Sequence, residues 1–202
     1  ADRHEWEPTL GGAHPIHDPE RATTLYRART LVWGFGAIGL ATARLLTAFG
    51  ANVRGVARSA GERAGFEVIA VADVDADLPD TQYPVMVLPS TPQTTGALSA
   101  ERLALLPRRA VVINVGRGTT VDQAALETAL RNGTISAAGI DVTDPEPLPA
   151  DSTLWDAPNL LLTPHAAGGR VVGAVERIIA NAAVVEATPP GEPITGLEAL
   201  VR

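Results

Sequence analysis

Cysteine and lysine are both absent from this chain of 202 residues. The absence of cysteine excludes disulfides, thiolate nucleophiles and cysteine metal ligands, and it is compatible with a reducing cytoplasm. The absence of lysine excludes Schiff-base chemistry and the phosphate-binding lysine of a P-loop, because both need a primary amine. The groups that remain for catalysis are four histidines, the carboxylates, the arginines and the hydroxyls.

Long apolar runs and an excess of positive charge are also lacking. No stretch is apolar for long enough to span a bilayer, so we predict no membrane partner and a cytoplasmic location. The formal net charge is -7 at pH 7, which disfavours a nucleic-acid partner because nucleic acids are themselves negatively charged. A hydrophobic content of 46% over 202 residues is enough for one substantial core.

The most informative segment that is present is a G-x-G-x-x-G loop formed by Gly34, Gly36 and Gly39. Residues 30–33 read as a short buried strand, and the apolar residues after the loop recur at helical spacing until Gly50. In this context the first glycine permits a tight turn, the second lets backbone approach a pyrophosphate, and the third lets the helix pack closely on the strand. The helix N-terminus would then attract phosphates. The alternative is a purely structural glycine turn.

Apolar runs and helical patterns alternate along the rest of the chain. They predict strands at 30–33, 52–57, 67–72, 85–88, 110–115, 135–142 and 160–163, and helices at 38–49, 99–106, 121–132 and 170–187. Near-continuous apolar strands between helices are typical of a parallel sheet covered on both faces. We therefore predict an α/β fold, a Rossmann-type doubly wound parallel sheet of about seven strands.

Charged side chains follow the predicted strands at their carboxyl ends, where ligands bind in an open parallel sheet. Arg58 follows the second strand, Arg117 the fifth, Asp141 and then Glu146 the sixth, and His165 the seventh. We therefore expect an arginine, a carboxylate and a histidine to converge at the edge where the nicotinamide end of a dinucleotide would lie.

Five stretches of the sequence together resemble the cofactor domain of the NAD(P)-dependent D-2-hydroxyacid dehydrogenases. They are residues 34–39, 88–96, 112–118, 141–148 and 154–165. The resemblance implies hydride transfer between NAD(P)H and a small 2-keto or 2-hydroxy acid, in the manner of a glyoxylate/hydroxypyruvate reductase. It also implies a homodimer formed through the cofactor domain.

The resemblance assigns three catalytic residues, with Arg117 as the arginine, Glu146 as the glutamate and His165 as the general acid/base. The chemistry supports these residue types: a planar guanidinium holds a carboxylate, and a histidine can protonate the oxygen that becomes negative when hydride reaches its carbon. A neighbouring carboxylate orients the imidazole ring and favours its charged form. The alternatives are that Arg117 caps a strand in a surface loop and that Glu146 is a solvated turn residue.

The predicted cofactor-binding residues lie in loops at the same edge. They are Gly34, Phe35, Gly36, Ala37, Ile38, Gly39, Arg58, Ser59, Pro89, Ser90, Thr91, Thr95, Val115, Gly116, Arg117, Asp141, His165, Ala167 and Gly168. The resemblance implies that Asp141 contacts the nicotinamide amide, and the alternative is a turn cap. No metal site is predicted, because His4, His14 and His17 lack a compatible ligand spacing.

The residues after the second strand predict a preference for NADP over NAD. NAD-specific folds carry an acid there that binds the ribose hydroxyls, whereas this chain has Arg58 and Ser59, with Glu62 several residues later. Arg58 can pair with a 2′-phosphate and Ser59 can donate its hydroxyl. The alternative is that Arg58 stacks on the adenine and discriminates little.

We expect the substrate-binding lobe of the family to be largely absent from this sequence. We predict that residues 1–29 are a connector from that lobe, that 30–169 form the NAD(P)-binding Rossmann domain, and that 170–202 form a C-terminal helix and tail that would return to the lobe. We expect a fragment of a longer enzyme that binds cofactor but turns over weakly or not at all alone, because lobe closure completes such sites.

Two other functions are alternatives to the dehydrogenase. The first is a non-catalytic NAD(P)-binding sensor or interaction module, such as the corepressors that resemble this family, and the complete set of Arg117, Glu146 and His165 argues against it. The second is formate oxidation, which is less favoured because that branch of the family uses glutamine where Glu146 stands.

Overall fold

The computed structural model describes residues 24–168, 174–189, 192 and 195. The chain divides into two units, Ala1–His165 and Ala166–Arg202. Most of the predicted connector, residue 169 and the beginning of the predicted C-terminal helix, at 170–173, lie outside the described residues. The first unit contains the whole sheet, and the described helix of the second unit is Ala174–Ala187.

Eight strands form one sheet in the first unit. They are β1 (Arg29–Trp33), β2 (Asn52–Ala57), β3 (Gly61–Arg63), β4 (Phe66–Ala70), β5 (Tyr83–Met86), β6 (Val111–Asn114), β7 (Ala137–Ile140) and β8 (Leu160–Leu162). Their spatial order is β3-β4-β2-β1-β5-β6-β7-β8. Every neighbouring pair is parallel except β3 and β4, which are antiparallel. The predicted doubly wound parallel sheet is confirmed.

α-Helices lie between three pairs of consecutive strands: α1 (Ala37–Ala48) between β1 and β2, α2 (Ala100–Leu105) between β5 and β6, and α3 (Gln123–Arg131) between β6 and β7. In the second unit, α4 (Ala174–Ala187) follows the last strand in the chain. Ser99 and Asp122 begin α2 and α3, since each side chain accepts a hydrogen bond from a backbone N–H in the first turn. No helix among the described residues is long and apolar enough to cross a membrane.

The two faces of the sheet bury separate apolar clusters. Leu31 and Trp33 of β1 belong to one cluster, which includes Leu103 of α2. Val32 belongs to the other, together with Ala43 of α1. Because successive strand residues point to opposite faces, a strand that is apolar throughout is one that is buried on both sides.

The order of the strands reverses at β1, and this reversal places the site. The chain runs from β1 outward to β2 and β4, and then returns to the other side of β1 as β5. The loops after β1 and β5 therefore diverge to opposite faces and leave a crevice at the carboxyl edge of the sheet, which is where dinucleotides bind in such folds. The glycine loop lies at this point.

The eighth strand, β3, is missing from the sequence prediction. It pairs Gly61 with Val68 and Arg63 with Phe66 across a two-residue turn. Ala64 and Gly65 in that turn have φ of 51° and 84°, the left-handed pair that defines a type I′ hairpin. Asn or Gly is the usual first residue of such a turn, so Ala64 carries no hairpin signal that sequence reasoning could detect.

Candidate functional site

The glycine loop owes its shape to contacts that leave no room for a side chain. A Cβ on Gly34, which has φ of 107°, would lie 2.5 Å from the Val87 carbonyl oxygen, and one on Gly39 would lie 2.2 Å from the Gly34 carbonyl oxygen. A Cβ on Gly36 would meet nothing within 4 Å. The middle glycine therefore faces open space, as the approach of a phosphate to the backbone requires.

The side chain of Phe35 packs the glycine loop against the core. Its ring packs against Phe66 with centroids 5.7 Å apart, and its side chain is buried. A Cβ on Gly55 would lie 2.5 Å from the Phe35 ring. Of the predicted cofactor contacts in the loop, Phe35 can therefore offer only backbone, whereas Ala37 and Ile38 are exposed at the start of α1.

A buried asparagine holds the loop that carries Arg117. Asn114 at the end of β6 is 1% exposed; its Nδ2 donates to the Arg117 carbonyl at 3.1 Å and its Oδ1 accepts from the Gly116 N–H at 3.0 Å. The Thr120 hydroxyl donates to the same Arg117 carbonyl at 2.7 Å. The backbone of Arg117 is thus clamped while its side chain is exposed, with Nη1 donating to the Gly116 carbonyl at 2.6 Å.

His165 and Glu146 are in direct contact. Nδ1 of His165 lies 2.5 Å from Oε1 of Glu146, and the side chains are 42% and 40% exposed. The backbone of His165 has φ of 52°, a left-handed conformation that non-glycine residues seldom adopt. Its N–H donates to the Asp141 carbonyl at 2.8 Å, which ties the histidine to the end of β7.

Asp141 links the ends of two neighbouring strands. It is 5% exposed, and its Oδ1 accepts a hydrogen bond of 2.5 Å from the hydroxyl of Thr163, which follows β8. Burial of a carboxylate is costly unless it is hydrogen-bonded, and this bond supplies part of the compensation. Thr163 was not among the predicted site residues, and no signal in the sequence distinguishes it.

A cavity of about 460 Å³ lies beside the His165–Glu146 pair. Its lining combines these two side chains and Asp141 with an apolar wall, and the complete set is Asp141, Thr143, Glu146, Pro147, Leu148, Trp155, Leu162, Thr163, Pro164 and His165. Arg117 does not line this cavity. Its loop nevertheless touches the loop of Glu146, because a Cβ on Gly118 would lie 2.1 Å from the backbone of Thr143.

The loop after β5 is stabilised by its own hydroxyl groups. The Thr94 hydroxyl donates to the Pro89 carbonyl at 2.6 Å, and the Thr95 hydroxyl donates to the Thr91 carbonyl at 3.0 Å. Ser90 and Thr119 join this loop to the one after β6 through a hydroxyl pair at 2.9 Å. Ser90 and Thr95 are exposed, so these predicted cofactor contacts lie on the surface of an ordered loop.

Arg58 and Ser59 are exposed at the carboxyl end of β2. Arg58 has no hydrogen-bond or ion-pair partner within the described part of the chain. Arg63, which sequence reasoning missed, donates from Nη2 to both the carbonyl and the hydroxyl oxygen of Ser59, each at 3.2 Å. Arg63 could have been identified only from the β3–β4 hairpin, and the turn residue Ala64 gives no indication of that hairpin in the sequence.

The predicted cofactor contacts at Ala167 and Gly168, and the predicted absence of a metal site, stay predictions. Ala167 and Gly168 belong to the second unit. Within residues 24–168 and 174–189, no group of three or more His, Cys, Asp or Glu side chains is arranged to hold a metal ion.

Comparison with known proteins identifies a family for this geometry. Residues 4–167 match the family described as D-isomer specific 2-hydroxyacid dehydrogenase, NAD binding domain. Glyoxylate/hydroxypyruvate reductase B of Serratia proteamaculans is 42% identical over 136 residues, which are 66% of this chain and 42% of that protein. Glyoxylate/hydroxypyruvate reductase A of Salmonella newport is 36% identical over 82% of this chain and 53% of its own length. The chain thus spans about half the length of the curated relatives it matches.

Solved structures of 2-hydroxyacid dehydrogenases and glyoxylate/hydroxypyruvate reductases are also similar to this chain. A D-isomer specific 2-hydroxyacid dehydrogenase from Xanthobacter autotrophicus, in complex with NADPH and MES, superposes with a TM-score of 0.78 at 38% identity, over 96% of this chain and 78% of that chain. An NADPH-dependent glyoxylate/hydroxypyruvate reductase from Sinorhizobium meliloti, in complex with NADP and sulfate, superposes with a TM-score of 0.80 at 31% identity, over 98% of this chain and 60% of that chain.

Replacement of Gly118 by alanine tests the contact between the Arg117 and Glu146 loops. A Cβ on Gly118 would overlap the Thr143 backbone at 2.1 Å, so we expect Gly118→Ala to lower the free energy of unfolding by about 2 kcal/mol or more. Gly139→Ala is the matched control, because a Cβ there meets nothing within 4 Å, and its effect should stay within about 0.5 kcal/mol. Urea denaturation measures both, and equal effects of the two substitutions would contradict the close approach.

Proposed function

We propose that this chain, which belongs to the D-isomer specific 2-hydroxyacid dehydrogenase family, is the cofactor domain of an enzyme. That enzyme would reduce small 2-keto acids with NADPH. The observation that carries the proposal is the pairing of His165 with Glu146 at 2.5 Å, at the carboxyl edge of a sheet that also presents the glycine loop. Glyoxylate and hydroxypyruvate are the proposed substrates, because the relatives of this chain are named for them.

The division of the chain belongs to the same proposal. Residues 30–169 would bind the cofactor, residues 1–29 would connect this domain to a substrate-binding lobe, and residues 170–202 would return to that lobe. The support is that the chain spans about half the length of its curated relatives. A cytoplasmic location stays a prediction.

His165 would act as the proton donor in reduction. When bound, reduced nicotinamide supplies a hydride to the carbonyl carbon, and the carbonyl oxygen must then gain a proton. With Nδ1 directed to Glu146, the other ring nitrogen, Nε2, is left to face the substrate oxygen. Glu146 orients the ring and stabilises its positive charge, and in the oxidative direction the neutral ring would accept the hydroxyl proton.

Arg117 would hold the carboxylate of the keto acid. Its guanidinium is exposed while its backbone is fixed by Asn114 and Thr120, which allows the side chain to reach a ligand from a rigid base. An arginine can donate two parallel hydrogen bonds to a carboxylate, and this orients the adjacent carbonyl for hydride attack.

Kinetic assays on the full-length product of the reading frame that contains this chain test the activity. We expect oxidation of NADPH with glyoxylate, hydroxypyruvate or pyruvate. His165→Gln should lower kcat by about 10²–10⁴-fold because the proton donor is lost, and Arg117→Gln should mainly raise KM for the acid. Arg131→Gln, on α3 and paired with Glu127, is the control and should leave both constants unchanged.

Two results would contradict this assignment of roles. Full activity of His165→Gln would remove the histidine from the mechanism. NADPH binding without turnover of any of the three acids by the full-length product would favour the non-catalytic sensor or interaction module instead.

Arg58 and Ser59 would give the site its preference for NADP over NAD. Both residues are exposed at the tip of β2, where the adenosine ribose lies in folds of this type. Two structural relatives were solved with NADPH or NADP. The absence of an acid directly after β2 removes the group that would repel a 2′-phosphate.

Titration of the purified chain with NADPH and NADH tests this preference. Arg58→Ala should weaken NADPH about tenfold through loss of a charge-assisted hydrogen bond and leave the affinity for NADH within about twofold. Equal affinities of the unaltered chain for the two cofactors would overturn the preference.

A homodimer would form through an apolar stripe on α1. Ile38, Leu45 and Phe49 recur at i, i+7 and i+11, so they lie on one side of the helix, and they are 59%, 65% and 67% exposed. A contiguous apolar surface of this kind is typical of a protein–protein interface. Each subunit would present the same stripe to its partner across a twofold axis.

Sedimentation velocity of the unaltered chain and of Leu45→Glu tests the dimer. We expect the unaltered chain to sediment as a dimer and Leu45→Glu as a monomer, since the substitution would bury a charge in the interface. Arg44→Glu, one position away on the helix, should remain dimeric. A monomeric unaltered chain, or a Leu45→Glu variant that is still dimeric, would exclude this interface.

A further inference from the structure

We infer that Arg63 is a second guanidinium of the 2′-phosphate site and helps to determine cofactor specificity. This inference rests on the proposed function, because it requires a dinucleotide in the glycine-lined crevice. Neither the glycine motif nor the family resemblance pointed to Arg63, which lies on the unpredicted strand β3.

The position of Arg63 is set by its contact with Ser59. Its Nη2 lies 3.2 Å from both the carbonyl and the hydroxyl oxygen of Ser59, and the side chain is half-buried. Arg58 precedes Ser59 in the chain, whereas Arg63 reaches it from the neighbouring hairpin. Ser59 therefore follows Arg58 in the chain and also accepts a hydrogen bond from the guanidinium of Arg63.

Strand β3, which carries Arg63, contributes little to the core. Gly61 and Glu62 of β3 are exposed, so the strand buries almost no apolar surface. Its turn places Ala64 at φ of 51°, a strained conformation for alanine that costs on the order of 1 kcal/mol. The hairpin brings the guanidinium of Arg63 against Ser59.

The charges around this point suit a phosphate. A phosphomonoester carries about -1.5 to -2 charges at pH 7, which two guanidinium groups balance and one does not. Ser59 accepts from Arg63, so its own hydroxyl hydrogen remains to donate to a phosphate oxygen. Glu62 precedes Arg63 on the same strand. Because successive strand residues point to opposite faces, the Glu62 carboxylate is directed away from the face that Arg63 occupies.

An arginine within β2 shows the contrast. Arg54 of β2 pairs with Glu67 of β4 and, at 2.6 Å, with Asp77. Two carboxylates thus neutralise Arg54, and its role is to join strands. Arg63 contacts only the neutral oxygens of Ser59 among the described residues, so its positive charge stays available to an anion.

Titration of Arg63 variants with NADPH and NADH tests the inference. Arg63→Gln keeps a donor for Ser59 but removes the charge; we expect it to weaken NADPH about tenfold and to leave NADH within about twofold. Arg63→Lys keeps the charge and should stay within about threefold of the unaltered chain for NADPH. Arg131→Gln, remote from β2, is the control and should change neither affinity.

The outcomes separate this inference from the proposed function. An unchanged NADPH affinity in Arg63→Gln, or an equal loss for NADPH and NADH, would show that Arg63 has only a structural role and would overturn the inference alone. Failure of the unaltered chain to bind either dinucleotide would overturn the proposed function as well. Adenosine 2′,5′-bisphosphate and adenosine 5′-monophosphate are probes that carry no nicotinamide, and Arg63→Gln should weaken only the first.

Discussion

The carboxyl edge of the sheet depends on backbone segments that meet without side chains between them. Gly34 approaches the Val87 carbonyl, Gly116 approaches the Leu88 carbonyl, and Gly118 lies against the backbone of Thr143; at each of these glycines a Cβ would come within 2.6 Å of the neighbour. These contacts bring the loops after β1, β5, β6 and β7 together. The crevice has this shape because these positions lack a Cβ, which allows the loops to approach one another closely.

Buried polar groups then fix the orientation of side chains on these loops. Asn114 clamps the backbone of Arg117, and Asp141 joins the end of β7 to Thr163 through its side chain and to His165 through its backbone carbonyl. The side chains of Asn114 and Asp141 both have hydrogen-bond partners, as burial demands. The proposed chemistry of His165 follows from this support, because a general acid needs a fixed orientation more than it needs burial.

Most of the fold could be predicted because its signals are local. The segment Leu31–Trp33 of β1 is buried on both faces and reads as an apolar run, and the glycine loop has one physical explanation that suits its strand–loop–helix context. Strand β3 and the turn that joins it to β4 could not be predicted. β3 is three residues long, and Ala64 in the turn adopts a left-handed conformation that alanine disfavours. Arg63 was missed for the same reason.

The sequence by itself determined the fold class, the position of the dinucleotide crevice and the family, since each depends on residue types at short, ordered spacings. The residues proposed for catalysis were named from the resemblance, and their roles remain proposals. Only the tertiary structure decided that Glu146 touches His165, that Thr163 binds Asp141 and that Arg63 reaches Ser59. The physical reason is that strand order and turn geometry set such distances, and neither is encoded in the spacing of residues along the chain.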